Sequence, residues 1–191
     1  MERLFKAIED ATCVAAMTGA GVSTLCGIPD FRGPQGLYKN PDAERIFDID
    51  WFDRDPSIYY RGCRELVYGL DRFRPGPVHL ALKRLEERGG LPALDEGYVP
   101  RCACGGVYKP DITFFGESLP EEAFVRSQEL AMRADVMLVL GTSLTVFPAA
   151  GLPRLTLQRG GKVFIVNAQP TPLDEFAVAR YEDLAAFAKV V

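Results

Sequence analysis

Thr18-Gly19-Ala20-Gly21-Val22-Ser23 closes a short apolar run, Cys13 to Met17, and Gly27-Ile28-Pro29-Asp30-Phe31-Arg32-Gly33 follows within a few residues. This order constrains the fold more than any other feature of the chain. A buried apolar run that ends in a glycine turn is the pattern of a parallel strand passing into a helix. Gly19 and Gly21 permit tight turning and close backbone approach to a phosphate, and a helix N-terminus behind them favours anions. The Pro-Asp-Phe-Arg element then brings an acid, an aromatic ring and a guanidinium to the same place.

The rest of the chain alternates in the same way. Helices are expected over Glu2 to Glu9, Phe52 to Leu70 (with Asp55-Pro56 as a plausible start), Pro77 to Arg88, Glu121 to Arg133 and Pro148 to Gln158. Val136 to Leu140 and Val163 to Val166 read as buried strands that end at Gly141-Thr142-Ser143 and at Asn167. Strands alternating with helices argue an α/β fold with a parallel sheet, whose ligands bind beyond the carboxyl ends of the strands. Three segments, at Gly19, Gly141 and Asn167, are therefore expected to meet in one crevice.

Composition narrows the function. The 191 residues fit one domain, or one with a small insert, and 48% hydrophobic with 25% charged content is that of a globular protein. No apolar run approaches the ~20 residues that span a bilayer, so no membrane association is expected. The N-terminal stretch lacks an apolar signal region, which makes the cytoplasm the expected compartment. A net charge of −4 argues against a nucleic-acid partner. Five scattered cysteines do not make a disulfide framework, and Cys13 and Cys26 are expected to be buried packing thiols.

The glycine turn departs from the dinucleotide fingerprint of dehydrogenases. Thr24 stands where the third glycine belongs, and no acidic residue ends a second strand about twenty positions later. The whole of TGAGVSTLCGIPDFRG instead resembles the NAD-binding signature of the sirtuins, the NAD-dependent protein deacylases. PGPVHLALKRLEERG, KPDITFFGESLP, GTSLTVFPAAGLP and VFIVNAQPTPLD are similar to further segments of that family, in order along nearly the whole chain.

The resemblance implies a Rossmann-like sheet flanked by helices, with a small zinc-binding insert only partly represented. It also implies an NAD-dependent deacetylase that cleaves NAD and passes an acyl group from lysine to ADP-ribose. Gly19, Ala20, Gly21, Thr24, Phe31 and Arg32 would hold NAD, with Arg32 near the phosphates and Phe31 beside the nicotinamide–ribose bond. Thr142 and Ser143 would reach phosphate or ribose, Asn167 and Ala168 the adenosine ribose, and Asp183 the adenine. Asp30 either contacts the ligand or caps backbone N–H groups within its own turn. Phe115, Gly116 and Glu117 on one side, with Val146 and Phe147 on the other, would clamp an acyl-lysine peptide as an added strand. At least one of Phe114 and Phe115 is expected to pack in the core.

Two parts of the family pattern are missing. Neither the Gln-Asn-Ile-Asp segment nor the His-Gly pair that carries the catalytic base is present, so no catalytic residue is assigned. The single histidine, His79, lies within the Pro77-to-Arg88 helix and is expected to be packed or hydrogen-bonded. Cys102-Ala103-Cys104 resembles half of a four-cysteine structural zinc site, and zinc is expected only if a further segment supplies two more cysteines. Both losses fall at Leu94-Asp95, where about fifty residues of the family pattern are absent by length. Loss of an interior strand would orphan its neighbours' hydrogen bonds. The expectation is therefore that a segment belongs between Leu94 and Asp95. Residues 1–94 and 107–191 would form the NAD-binding domain, and 95–106 a remnant of the zinc domain. The alternatives are an NAD or ADP-ribose binding module without turnover, if the chain is continuous there, and a deacylase for acidic acyl groups. Gly62 and Cys63 stand where a Tyr-x-x-Arg pair after Tyr59 or Tyr60 would put arginine, which disfavours acidic acyl groups.

Overall fold

A computed structural model describes residues 1–40, 43–66, 72–87 and 113–190. Among them β1 (Val14–Thr18), β2 (Val136–Leu140), β3 (Lys162–Val166) and β4 (Ala179–Tyr181) form a parallel sheet in that order. Val14 is level with Val136 and Val136 with Lys162, so the strands end together at Thr18, Leu140 and Val166. The helices are α1 (Glu2–Asp10), α2 (Ala43–Ile46), α3 (Ile49–Arg54), α4 (Pro56–Leu66), α5 (Pro77–Glu87), α6 (Glu121–Arg133), α7 (Leu152–Gln158) and α8 (Leu184–Val190).

All five residues of β2 are buried, as both-face coverage requires. Alternate side chains go to opposite faces. Val136, Leu138 and Leu140 join Leu4, Val78, Phe164 and Phe187 under α1, α5 and α8. Met137 and Val139 join Ala131, Val163, Ile165 and Leu173 under α6 and α7. A third cluster stands apart from the sheet: Ala43, Ile46, Phe52, Tyr59, Cys63 and Phe114, drawn from α2, α3, α4 and the segment before α6.

The expected helix over Phe52 to Leu70 is two helices. Pro56 has no N–H to continue α3 and opens α4 instead, and Asp55 accepts from the Ser57 N–H at 3.0 Å. The stretch from Pro148 begins as a 3-10 turn, Ala149–Gly151, before α7. β4, only three residues long, and α8 carry no run that announces them. Cys13 and Cys26 are half-buried rather than buried; Cys63 is the thiol in the core, and burial pushes it up to about 11. No helix among the described residues is long and apolar enough to cross a membrane. The Leu94–Asp95 junction, Cys102 and Cys104 lie outside the described residues.

Candidate functional site

The three strand ends meet as expected, and backbone hydrogen bonds hold them. Gly19 N–H donates to Leu140 O at 2.9 Å, Gly21 N–H to Gly141 O at 2.9 Å, Gly141 N–H to Val166 O at 2.9 Å, and Asn167 N–H to Tyr181 O at 2.9 Å. The chain of bonds runs across the carboxyl edge from β1 to β4. It also gives the glycines a second reason. A Cβ on Gly19 would sit 2.5 Å from Gly141 O, and one on Gly141, whose φ is +60°, would sit 2.5 Å from Val22 N. The two loops touch backbone to backbone, and side chains would part them.

The element behind the glycine turn is a 3-10 helix, Ala20–Cys26, where the sequence suggested an ordinary helix start. Thr24 Oγ1 donates to Gly21 O at 2.8 Å, tightening its first turn. Gly27, in the left-handed region at φ +86°, ends it by donating to Ser23 O and Thr24 O.

Asp30 Oδ1 accepts from Gly33 N–H at 2.9 Å, the local capping role. Leu37 N–H returns to Asp30 O at 2.8 Å and Tyr38 N–H to Phe31 O at 2.9 Å, so residues 30–38 form a closed knot. Tyr38 is its centre. Its ring lies 5.3 Å from Phe31 and 6.4 Å from Phe115, and the exposed Arg32 guanidinium rests over it at 5.1 Å. Burial pushes the Tyr38 hydroxyl pKa up, while Arg32 pulls it back. Phe47 meets Phe31 edge-on at 5.4 Å. Tyr38 thus links the Phe31-Arg32 element to the Phe115 segment. Neither Tyr38 nor Phe47 was singled out from sequence, because nothing in local periodicity marks an aromatic hub built from loops.

Phe114 and Phe115 divide the two roles. Phe114 is buried against Phe52 and Tyr59, whereas Phe115 is 40% exposed. Phe115 N–H donates to Phe47 O at 2.8 Å and its carbonyl accepts from Ile49 N–H at 3.1 Å. Its own main chain is therefore committed to residues 47–49. Glu117 accepts from Phe114 N–H at 2.7 Å, and Gly116 takes φ +94° between them. Val146 and Phe147 are 40% and 71% exposed.

On the β3 side, Asn167 Nδ2 donates to Gln169 O at 2.8 Å. Arg180 of β4 donates to Asn167 O at 3.2 Å and Ala168 O at 3.1 Å. Arg180 is thus a supporting residue that a lone arginine in sequence could not announce. Thr142 Oγ1 accepts from Leu144 N–H at 3.3 Å, and Ser143 shares a bond with Thr145 at 2.9 Å. Asp183 accepts from Ala185 and Ala186 N–H at 2.7 and 3.0 Å, opening α8. Among the described residues no group of three or more His, Cys, Asp or Glu could hold a metal ion.

A parallel α/β domain with hydroxyl, amide and guanidinium groups around a glycine-lined carboxyl edge is a nucleotide-binding architecture. The sequence model of the Sir2 family matches residues 19–96 and 92–148, two pieces that meet around Leu94-Asp95. The chain belongs to the Sir2 family. It is 34% identical to an NAD-dependent protein deacetylase of Thermotoga maritima, covering 100% of this chain and 96% of that protein. It is equally 34% identical to NAD-dependent protein deacetylase 1 of Pyrobaculum aerophilum, covering 93% and 87%. Among solved structures, a Sir2 with deacetylated p53 peptide and 3'-O-acetyl ADP ribose aligns at TM-score 0.91 and 33% identity over 100% of this chain and 96% of that one. A Sir2–p53 peptide–NAD+ structure aligns at 0.86 and 33% over 99% and 95%. The Thermotoga alignment is 238 positions long against 191 residues here, leaving about 47 without a counterpart in this chain.

Proposed function

We infer that this protein is an NAD-dependent protein-lysine deacetylase: it cleaves NAD, releases nicotinamide and transfers the acyl group of an acyl-lysine peptide to ADP-ribose. The single observation that carries this is the bonded carboxyl edge, where Gly19, Gly141 and Asn167 meet behind the Phe31-Arg32 knot in a chain similar to deacetylases over its full length.

Gly19, Ala20, Gly21 and Thr24 would cradle the pyrophosphate, with Arg32 as its charged partner, since guanidinium–phosphate bonds are among the stronger ones. Phe31, held by Tyr38 and Phe47, is the ring for the nicotinamide–ribose bond. Thr142, Ser143, Asn167 and Ala168 supply the sugar and phosphate contacts, with Arg180 fixing the last two from behind. The Asp30 carboxylate, bonded to Gly33, acts chiefly by holding the knot closed. Asp183 would reach the adenine only through a carboxylate already engaged by α8. Phe115, Gly116 and Glu117, with Val146 and Phe147, would bind the peptide. Because Phe115 has used its own main chain, the added strand pairs with its neighbours while the Phe115 ring packs over the acyl-lysine. Such an aromatic wall suits an apolar acyl chain.

The base that works on the ribose hydroxyl belongs to a segment between Leu94 and Asp95, which would also supply the two cysteines that zinc needs beside Cys102 and Cys104. The family match that breaks there and the alignment positions without a counterpart support this placement. The free thiols Cys13, Cys26 and Cys63 suit the reducing cytoplasm.

One observation favours a second reading, an NAD or ADP-ribose binding module without turnover. The only histidine of the chain accepts the Gly76 N–H at the entry to α5, away from the role of a base. Calorimetric titration of NAD, with release of free lysine from an acetyl-peptide followed in parallel, separates the two. NAD-dependent deacetylation is expected; binding with no deacetylation would establish the binding module, and no binding would sink both.

A further inference from the structure

His79 sits where α5 meets the nucleotide turn. Gly76 precedes α5 and His79 is the third residue of the helix. The Gly76 N–H donates to His79 Nδ1 at 3.1 Å, while Leu80 N–H returns to Gly76 O at 3.1 Å. The first bond is one half of a capping box, with an imidazole in place of the usual carboxyl or amide at the third position, and the second is the opening backbone bond of α5. A ring nitrogen that accepts a backbone N–H carries no proton, so the imidazole is neutral and its proton is on Nε2. Nε2 lies 3.4 Å from Ser23 Oγ. Ser23 is in the 3-10 helix Ala20–Cys26, two residues beyond Gly21, and its carbonyl also takes the Gly27 N–H. Cys26 Sγ, at the other end of that helix, lies 3.7 Å from Nδ1.

A 3-10 helix has poorer hydrogen-bond geometry than an α-helix and relies on its surroundings. On one side the turn is fixed by the Gly21-to-Gly141 bond. We propose that His79, its tautomer set by the α5 cap, fixes the other side through Ser23 and is a positioning residue for the NAD-binding turn. The proposal rests on the functional reading above for what the turn holds, but the tether itself does not need the ligand.

The two nitrogens can be separated by substitution in the full chain. His79→Asn places an acceptor near the Nδ1 position, keeping the Gly76 cap and losing the donor to Ser23. His79→Ala gives up both the cap and the contact with Ser23. Hydrogen exchange of the ligand-free protein reads the tether directly. His79→Asn is expected to accelerate exchange within residues 20–27 while leaving α5 and the melting temperature unchanged. His79→Ala is expected to accelerate exchange both there and in the first turn of α5, and to melt lower. In NAD titrations the Asn variant and Ser23→Ala should each bind about three- to tenfold more weakly, the range of one neutral hydrogen bond. The double variant should lose no more than either alone. Unchanged exchange at residues 20–27 in His79→Asn, or additive losses in the double variant, would overturn the proposal. The exchange pattern without NAD binding by the wild type would leave the tether standing and remove the functional reading instead.

Discussion

Phe114 and Phe115 are chemically identical neighbours, and their environments assign them different work. Phe114 is 2% exposed, with rings of Phe52 at 5.3 Å and Tyr59 at 5.2 Å around it. Truncating such a side chain removes its burial and leaves a cavity, at about 3–5 kcal/mol. Phe114→Ala is therefore expected to lower the melting temperature steeply. Phe115→Ala should leave stability nearly unchanged and raise the KM for acetyl-peptide, because its ring faces the proposed peptide site while its backbone keeps its bonds to Phe47 and Ile49. Thermal melts and steady-state kinetics on the two variants decide it. Equal melting temperatures would mean that the third core cluster is not a real one. The sequence could say that one of the pair is core, but not which: adjacent phenylalanines outside a regular strand carry no periodicity to assign faces.

At the level of elements, the carboxyl edge was legible because each buried strand ends in residues unfit for a core, at Gly19, Gly141 and Asn167. What local pattern could not show is how those ends are joined, since the Gly19-to-Leu140 and Gly141-to-Val166 bonds connect residues far apart in sequence. The opposite edge has a corresponding joint at Asp135. Its Oδ2 accepts from Thr12 N–H at 2.9 Å, Thr12 Oγ1 at 2.6 Å and Cys13 N–H at 3.0 Å, and its carbonyl takes the Lys162 N–H at 2.8 Å. One residue thereby sets the entry of β1, β2 and β3. The Thr12 and Cys13 bonds hold the Asp135 carboxyl below the ordinary carboxylate value. A folded-state pKa below the unfolded one means that the carboxylate stabilises the fold above the unfolded value near 3.8 and that this is lost as pH falls through the folded value. Asp135→Asn should therefore melt lower than wild type at pH 7, with the difference shrinking below about pH 4. Melting temperatures of both proteins from pH 7 to pH 3 test it; a gap that stays constant would remove the carboxylate from the explanation.

Over the whole molecule, the open side of the sheet among the described residues bears on the proposed position of the base. Among the described residues β1 pairs on one side only, with β2, and Ala16 and Thr18 of β1 are exposed. An apolar strand left at a sheet edge is a liability that proteins ordinarily cover. The nucleotide turn leaves β1 at this edge, the family match breaks in two around Leu94-Asp95, and about 47 alignment positions of the Thermotoga relative have no counterpart here. A strand set against β1 would cover the edge and carry a side chain to the nucleotide turn at once. We propose that one such strand would serve both the edge and the base. The corresponding positions of the Thermotoga protein, placed between Leu94 and Asp95, should raise the melting temperature and raise acetyl-peptide turnover with NAD by on the order of 10²–10⁴, the range supplied by a positioned general base. Deacetylation by the 191-residue chain at the rate of the extended one would place the base among residues already present. A higher melting temperature without added turnover would separate the edge from the chemistry and leave the base to be found elsewhere.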